Sequence, residues 1–237
     1  MNLPSISWLK KIFLLLLLTA LFSCASAPKP DISNTLRTIA ILPFGNDSNN
    51  IDAPNIVRQH LKKKLKAKFY KVLSLKKVDQ ILLDELGITL GEQLKEVDFS
   101  EIRAKVNADG FVFGHVTYFD QTITGVLNTN RVSARMNLIR ASNDKEVWKS
   151  NIGIKSDESV GGIGAIASIA GSISDANDDD IKWITIESEN TNDSFAAGLL
   201  SGLIKSAVAS AFDSTLERET ISLIDYSTQT LRQGPGY

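Results

Sequence analysis

The chain has 237 residues, with 26 basic and 27 acidic side chains, a formal charge of −1 and a single cysteine. That balance excludes an overall electrostatic footprint for nucleic acid, and one thiol excludes a disulfide within the chain. Hydrophobic residues at 43% are ordinary for a globular fold, so a packed core has to supply the stability.

Lys10 and Lys11 precede an apolar run over residues 12–22. The run is shorter than the about 20 residues that span a bilayer and suits the apolar core of a signal peptide, predicted over residues 1–23. Leu21, Phe22 and Ser23 lead directly into Cys24 and resemble the bacterial lipobox. The resemblance implies cleavage before Cys24, diacylation of its sulfur and, usually, acylation of the new amine. Two or three buried acyl chains, at about 0.8 kcal/mol per CH₂, hold a protein stably on a membrane. Ala25 stands where an aspartate would resemble an inner-membrane retention signal, so the expected location is the outer membrane, facing the periplasm. Residues 24–36 are rich in Pro, Ser and Ala and read as a flexible tether.

Order is expected from Arg37 to about residue 156. "RTIAILPF" has the compact apolar core of a strand buried on both faces. Asp52 is placed to cap a helix that admits Pro54 in its first turn and repeats Val57, Leu61, Leu65 and Phe69 on one stripe. A short strand, "YKVLSL", leads to a second helix marked by Val78, Ile81, Leu82 and Leu86 and stopped by Gly87. Asp98 and Glu101 form a capping-box pattern before Ile102 and Val106. "FVFGHVTYF" is the densest strand signal, with Gly114 marking close packing. In "RVSARMNLI", Val132, Ala134, Met136 and Leu138 alternate with Arg131, Ser133, Arg135 and Asn137, and "VWKSNIGI" completes an antiparallel meander. "IKWITIES" makes one more strand. Residues 157–228 form a Gly/Ala-rich, helical extension whose apolar stripe runs over 194–212, and residues 229–237 read as a disordered tail.

The order strand, helix, strand, helix, helix and three strands, opened by "RTIAILPFGNDS", resembles the amino-terminal domain of TolB and related domains of small bacterial lipoproteins, including the curli-secretion type and activators of penicillin-binding proteins. A group of small lipoproteins is closer, through "A-x-L-P-F-x-N" at Ala40 to Asn46, "Y-x-V-L" at Tyr70 to Leu73, "A-D-G" at Ala108 to Gly110, and Trp148. The similarity covers about residues 37–154. It implies an α/β sandwich, a mixed sheet with helices packed on it, and an envelope role without catalytic residues.

The residues offer few competing sites. Lys62, Lys63, Lys64, Lys66, Lys68 and Lys71 form a basic cluster that reads either as a solvated helix face or as a contact for anionic headgroups. His60 and His115 lack the spacing of a zinc site. Asp175, Asn177 and Asp179 alternate as in a calcium loop, but Asp180 stands where glycine belongs and Ile186 where the bidentate glutamate belongs. Gly161, Gly162 and Gly164 do not make a phosphate loop, and no nucleophile elbow or acid–base pair stands out. Gly198 and Gly202 form a GxxxG within one of two small-residue stretches, 159–173 and 194–212, which pack on the fold or meet a partner. The expectation is therefore a chain with no catalytic residue, metal or cofactor, no nucleic-acid partner and no evident small-molecule substrate, whose one assigned site is lipidation at Cys24. Its partners are the membrane, through that lipid, and envelope proteins or further copies of itself. The reading preferred is a protein-binding role in envelope complex assembly or secretion; the alternatives are a curli-type oligomeric channel and an activator of a cell-wall synthase.

Overall fold

The structure, a computed structural model, describes residues 27–123, 127–159, 180–186 and 216–236. It is an α/β fold built on one seven-stranded mixed sheet in the order β3-β1-β4-β5-β6-β7, with β2 also pairing β4. β1 (Thr38–Ile41) is parallel to both β3 (Lys71–Val72) and β4 (Gly110–Ile123), and β2 (Gly45–Asn46) continues along the same edge of β4. β4, β5 (Leu127–Arg140) and β6 (Glu146–Ser159) form an antiparallel meander, and β7 (Lys182–Ile186) returns parallel to β6. Each meander strand is fourteen residues long. Polar residues at the far ends hide this continuation of the ladder from the sequence pattern.

Local chemistry explains the helices. α1 (Ala53–Ala67) opens with Pro54 in its first turn and buries Val57, Leu61 and Leu65. Asp52 makes no side-chain cap; Asn50 supplies acceptors instead, its carbonyl for the Ala53 amide at 3.2 Å and its Oδ1 for the Asp52 amide at 2.9 Å. Phe69 falls outside α1, at φ 69°, so the predicted stripe ends one turn early and Tyr70 takes the buried place. α2 (Leu75–Leu86) stops at Gly87, whose φ of 68° suits a residue without Cβ. At α3 (Phe99–Lys105) the Asp98 carboxylate accepts the Ser100 amide at 2.7 Å.

The two faces of the sheet are covered unequally. On one face α1 and α4 (Glu217–Ser227) pack over Ile39, Ile41, Val112, Val116, Val132, Ala134, Met136, Leu138 and Ile154. On the other, α2, α3 and the 3-10 turn Gly91–Glu96 cover Ala40, Leu42, Phe111 and part of Phe113 at the β1–β4 end. The layers are joined by Arg58 of α1. It is buried, holds Asp79 of α2 through two bonds at 2.6 and 3.1 Å, and donates to the Ile41 carbonyl at 3.1 Å.

The chain ends contradict two expectations. Residues 31–36, read as part of a tether, enter the core: Leu36 and Asn34 are buried. Residues 229–236, within the stretch 229–237 read as a disordered tail, are held as well, with Leu231 buried and the Gly234 amide donating to the Lys68 carbonyl at 2.6 Å. The two segments meet at the Tyr70 hydroxyl, which accepts from Asn34 Nδ2 and donates to the Arg232 carbonyl, both at 2.9 Å. Burial pushes the Tyr70 phenol up, so it stays neutral and able to donate. Asp31 adds an ion pair to Arg232, and its carboxyl is held below the usual range by the Ser33 hydroxyl and then by Arg232.

α4 lies within the expected extension, yet its docking is polar as well as apolar. Glu219, 2% exposed, accepts from Ser156 Oγ and, at 3.4 Å, from Asn130 Nδ2, while Gln121 donates to Asn130 Oδ1 at 2.9 Å. Gln121, Asn130 and Ser156 form one cross-strand row, so this bond fixes the register of α4 on the meander. Trp148 donates to the Ser227 carbonyl at 3.2 Å at the other end of the helix. The acidic loop at 175–179 and the stretches 160–173 and 194–212 lie outside the described residues.

Two substitutions test these contacts. Tyr70→Phe leaves the Asn34 amide and Arg232 carbonyl short of one bond and is expected to lose about 1–3 kcal/mol in denaturant unfolding, with faster amide exchange in residues 31–36 and 228–236. Glu219→Ala strands the buried Ser156 and Asn130 donors and is expected to lose a similar roughly 1–3 kcal/mol, with Glu219→Gln losing less.

Candidate functional site: the uncovered face of the meander

Where the α2–α3 layer ends, none of the described residues covers the sheet. Side chains alternate along a strand, so the residues opposite the apolar face of β4, β5 and β6 stand on this side: Phe113, His115, Tyr118 and Asp120, then Asn137, Arg135, Ser133 and Arg131, then Lys149, Asn151, Gly153 and Lys155. Among them, Arg131, Ser133, Arg135 and Asn137 are the residues that alternate with the apolar positions of β5 in the sequence.

One cross-strand row organises the face. Tyr118, Ser133, Gly153 and Trp183 are consecutive register partners across four strands. The two middle residues are small, which lets the flanking rings fold inward until their centroids lie 5.5 Å apart at a tilt of 58°. A Cβ on Gly153 would stand 2.5 Å from the Trp183 ring, so glycine is required beneath it. Ser133 is fully buried under the pair. The bulge between Val116 and Tyr118 turns Tyr118 to this face, and the Arg131 guanidinium sits 4.7 Å from its ring centroid while pairing with Asp120 at 2.9 Å.

Beside this bridge is an open cleft of about 900 Å³. Its wall is Gly91, Leu94 and Lys95, its floor Phe113, His115, Arg135, Asn137, Lys149 and Asn151, and Asp180 closes one end. The "LPFGN" motif builds the wall. Phe44 lies against Gly114, where a Cβ would be 2.5 Å from its ring; Gly91 packs on the Phe44–Gly45 backbone; Asn46 donates its amide to Glu92. His115 lies under Gly45 and pairs through Nε2 with Asp47 at 2.7 Å. Asn151 donates to the Asp180 carbonyl at 2.6 Å and so fixes the start of β7.

The arrangement is cationic, aromatic and amide-bearing: Lys95, Arg135, Lys149 and Lys155 outnumber Asp180, while Asp47 and Asp120 are engaged. It suits recognition of an acidic, partly apolar protein surface. Nothing on it pairs a nucleophile with a base. Among the described residues no three His, Cys, Asp or Glu side chains converge as metal ligands, and no helix is long and apolar enough to cross a membrane.

The other sequence candidates take structural roles. His60 is half-buried beside α4; burial, then Lys63, holds its imidazole below the usual range, against an opposing effect of Glu217. In the lysine cluster, Lys64 pairs with Asp225 of α4 at 2.6 Å and Lys68 donates to the Leu231 carbonyl at 2.8 Å. Asp109 of "A-D-G" accepts the Arg37 and Thr38 amides at 2.9 and 2.8 Å and fastens the start of β1. Cys24 lies outside the described residues. Sequence reasoning missed the aromatic bridge, because Tyr118 and Trp183 are far apart in the chain and only the sheet register joins them. Gly153 opposite a tryptophan-bearing strand was the available signal.

Gly153→Val is expected to lift Trp183 off the sheet and away from Tyr118. The near-ultraviolet circular dichroism of the pair should fall to that of Trp183→Phe, whereas an unchanged spectrum would show that the rings are not in contact.

No curated protein matches this chain. Among solved structures, the lipoprotein GNA1162 from Neisseria meningitidis is 19% identical, with 52% of this chain and 84% of that chain covered at a TM-score of 0.47. The PelC dodecamer from Paraburkholderia phytofirmans is 16% identical, covering 60% and 84% at 0.34. The LpoB C-terminal domain from Salmonella enterica is 15% identical, covering 54% and 87% at 0.34. The family model described as "Putative lipoprotein GNA1162-like" matches residues 32–202, which carries the lipoprotein resemblance past the meander and through β7. With most of its length matched, from ahead of β1 to beyond β7, the chain belongs to the GNA1162-like lipoprotein family.

Proposed function

We propose that this is a lipid-anchored, non-catalytic envelope lipoprotein, tethered through Cys24 to the outer membrane and facing the periplasm, that binds another envelope protein with the uncovered face of its meander. One observation carries the reading. The apolar face of β4–β6 is covered by α1 and α4, while the opposite face is left to Trp183, Tyr118, Arg131, Arg135 and Lys149. Aromatic and arginine side chains on a rigid sheet are the residues that dominate binding energy at protein interfaces. A site of this kind supports assembly of a larger complex or secretion without supplying a reaction.

The channel alternative has less support. A lipid-facing strand needs an apolar outward side, and the outward side of this meander carries Asp120, Arg131, Arg135, Lys149 and Lys155. Activation of a cell-wall synthase is one form that partner binding could take.

The anchor and the face are tested separately. Cys24→Ala is expected to abolish metabolic labelling by palmitate and release the protein from membranes; persistent labelling would overturn the anchor. From native membranes in mild detergent, the parent chain is expected to come out with a second envelope protein, and Trp183→Ala with Arg135→Glu should lose it while remaining labelled. A symmetric ring of this chain alone would instead support the channel.

A further inference from the structure

The clasped chain ends define one pole of the molecule. Pro30 packs on Gly236, Asp31 bonds to Gly234, and Gly234 and Gly236 bond to Lys68 and Phe69 at the end of α1. The chain therefore leaves the fold toward Cys24 beside the C-terminal end of α1. Six residues lie between Cys24 and Asp31, so the reach is at most about 25 Å for extended chain. An acyl group on Cys24 would hold this pole, and no other, against the bilayer.

The pole is basic. Lys63 and Lys66 of α1, Lys71 of β3, Lys29 and Arg37 are all exposed there. Of the acidic groups at the same end, Asp31 pairs with Arg232, Asp225 with Lys64 and Asp144 with Arg103, Asp109 accepts the Arg37 and Thr38 amides, and exposed Glu146 accepts from Asn137. The sequence placed a lysine run on α1; the fold adds that the run lies beside the point where the chain departs for its anchor, with Asp31, Asp144 and Asp225 paired to basic side chains.

We infer that Lys63, Lys66, Lys71 and their neighbours form a membrane-facing surface that lies on anionic lipid headgroups, a second and electrostatic attachment that orients the body. This rests on acylation of Cys24. The acyl chains supply the attachment, and the basic surface adds to it and favours one orientation, because each lysine near an anionic surface contributes to the binding. Orientation follows from it. β4 starts at this pole and runs outward for fourteen residues, so the Tyr118–Trp183 bridge is held roughly 25 Å from the lipid.

The test uses the mature chain with Cys24→Ser, which carries no acyl group, in cosedimentation with vesicles of phosphatidylcholine alone or mixed with phosphatidylglycerol. Binding is expected only to the anionic vesicles and should weaken as salt rises. Lys63→Gln, Lys66→Gln and Lys71→Gln should each weaken it about fivefold, whereas Lys76→Gln and Lys77→Gln on α2 should not, with circular dichroism confirming the fold of each. Equal binding to both vesicles, or loss caused equally by the α2 substitutions, would overturn the inference. Palmitate labelling reads the anchor and this assay reads the pole, so either can fail alone.

Discussion

A wide sheet has two faces to hide, and this one hides them with helices that do not match in extent. α1 and α4 lie over the full apolar side of the meander, whereas α2, the 3-10 turn and α3 stop at Phe113. Everything functional follows from that mismatch. A bare sheet face costs nothing when its side chains are polar, but it is stable only if the opposite face is sealed. The seal is α4, whose position is set by Glu219 seated in the row Gln121, Asn130 and Ser156 and by Trp148 at its far end. A buried carboxylate is tolerated because its partners lie in a single register row; shifted by two residues along β5 or β6, Glu219 would face Val132 or Ile154 instead.

The same economy shapes the two ends. At one pole the Tyr70 hydroxyl joins the arriving and departing segments, so a chain that begins its fold at Asp31 also finishes there. At the other, the meander extends well beyond α2 and α3. The molecule is thus asymmetric along its strands, with a lysine-rich, clasped pole and a projecting sheet whose exposed side is aromatic and cationic. An anchor at the first and a partner at the second are compatible because they do not compete for surface. The polar groups of the "LPFGN" and "ADG" motifs serve backbone positioning.

Much of the fold was legible from periodicity. The two-residue alternation of Val132, Ala134, Met136 and Leu138, the Gly87 stop and the Asp98 cap are local signals, and local signals survive folding. What was not legible depended on distant pairing. "RQGPGY" has the composition of a tail, yet two of its glycines let the backbone approach Phe69 and Pro30 closely. The prolines and serines ahead of Arg37 read as a tether, yet Asn34 is a buried hydrogen-bonding residue because Tyr70 lies opposite. Arg58 and Glu219 were invisible for the same reason, since a buried charge has no periodicity and only its partner reveals it. Of the binding face, the polar alternates were visible but their meaning was not: exposure to solvent and readiness for a partner look alike until the register places Trp183 and Tyr118 over Gly153 and Ser133.

The most direct measurement is site-specific photocrosslinking in native membranes, with the reactive side chain at Lys149 in the cleft and, as the comparison, at Lys76 on α2. The account expects a discrete adduct with a second envelope protein from Lys149 and none from Lys76. Adducts from Lys76 alone, or no adduct from Lys149 in membranes where the protein is anchored, would contradict the assignment of the uncovered face as the site of binding.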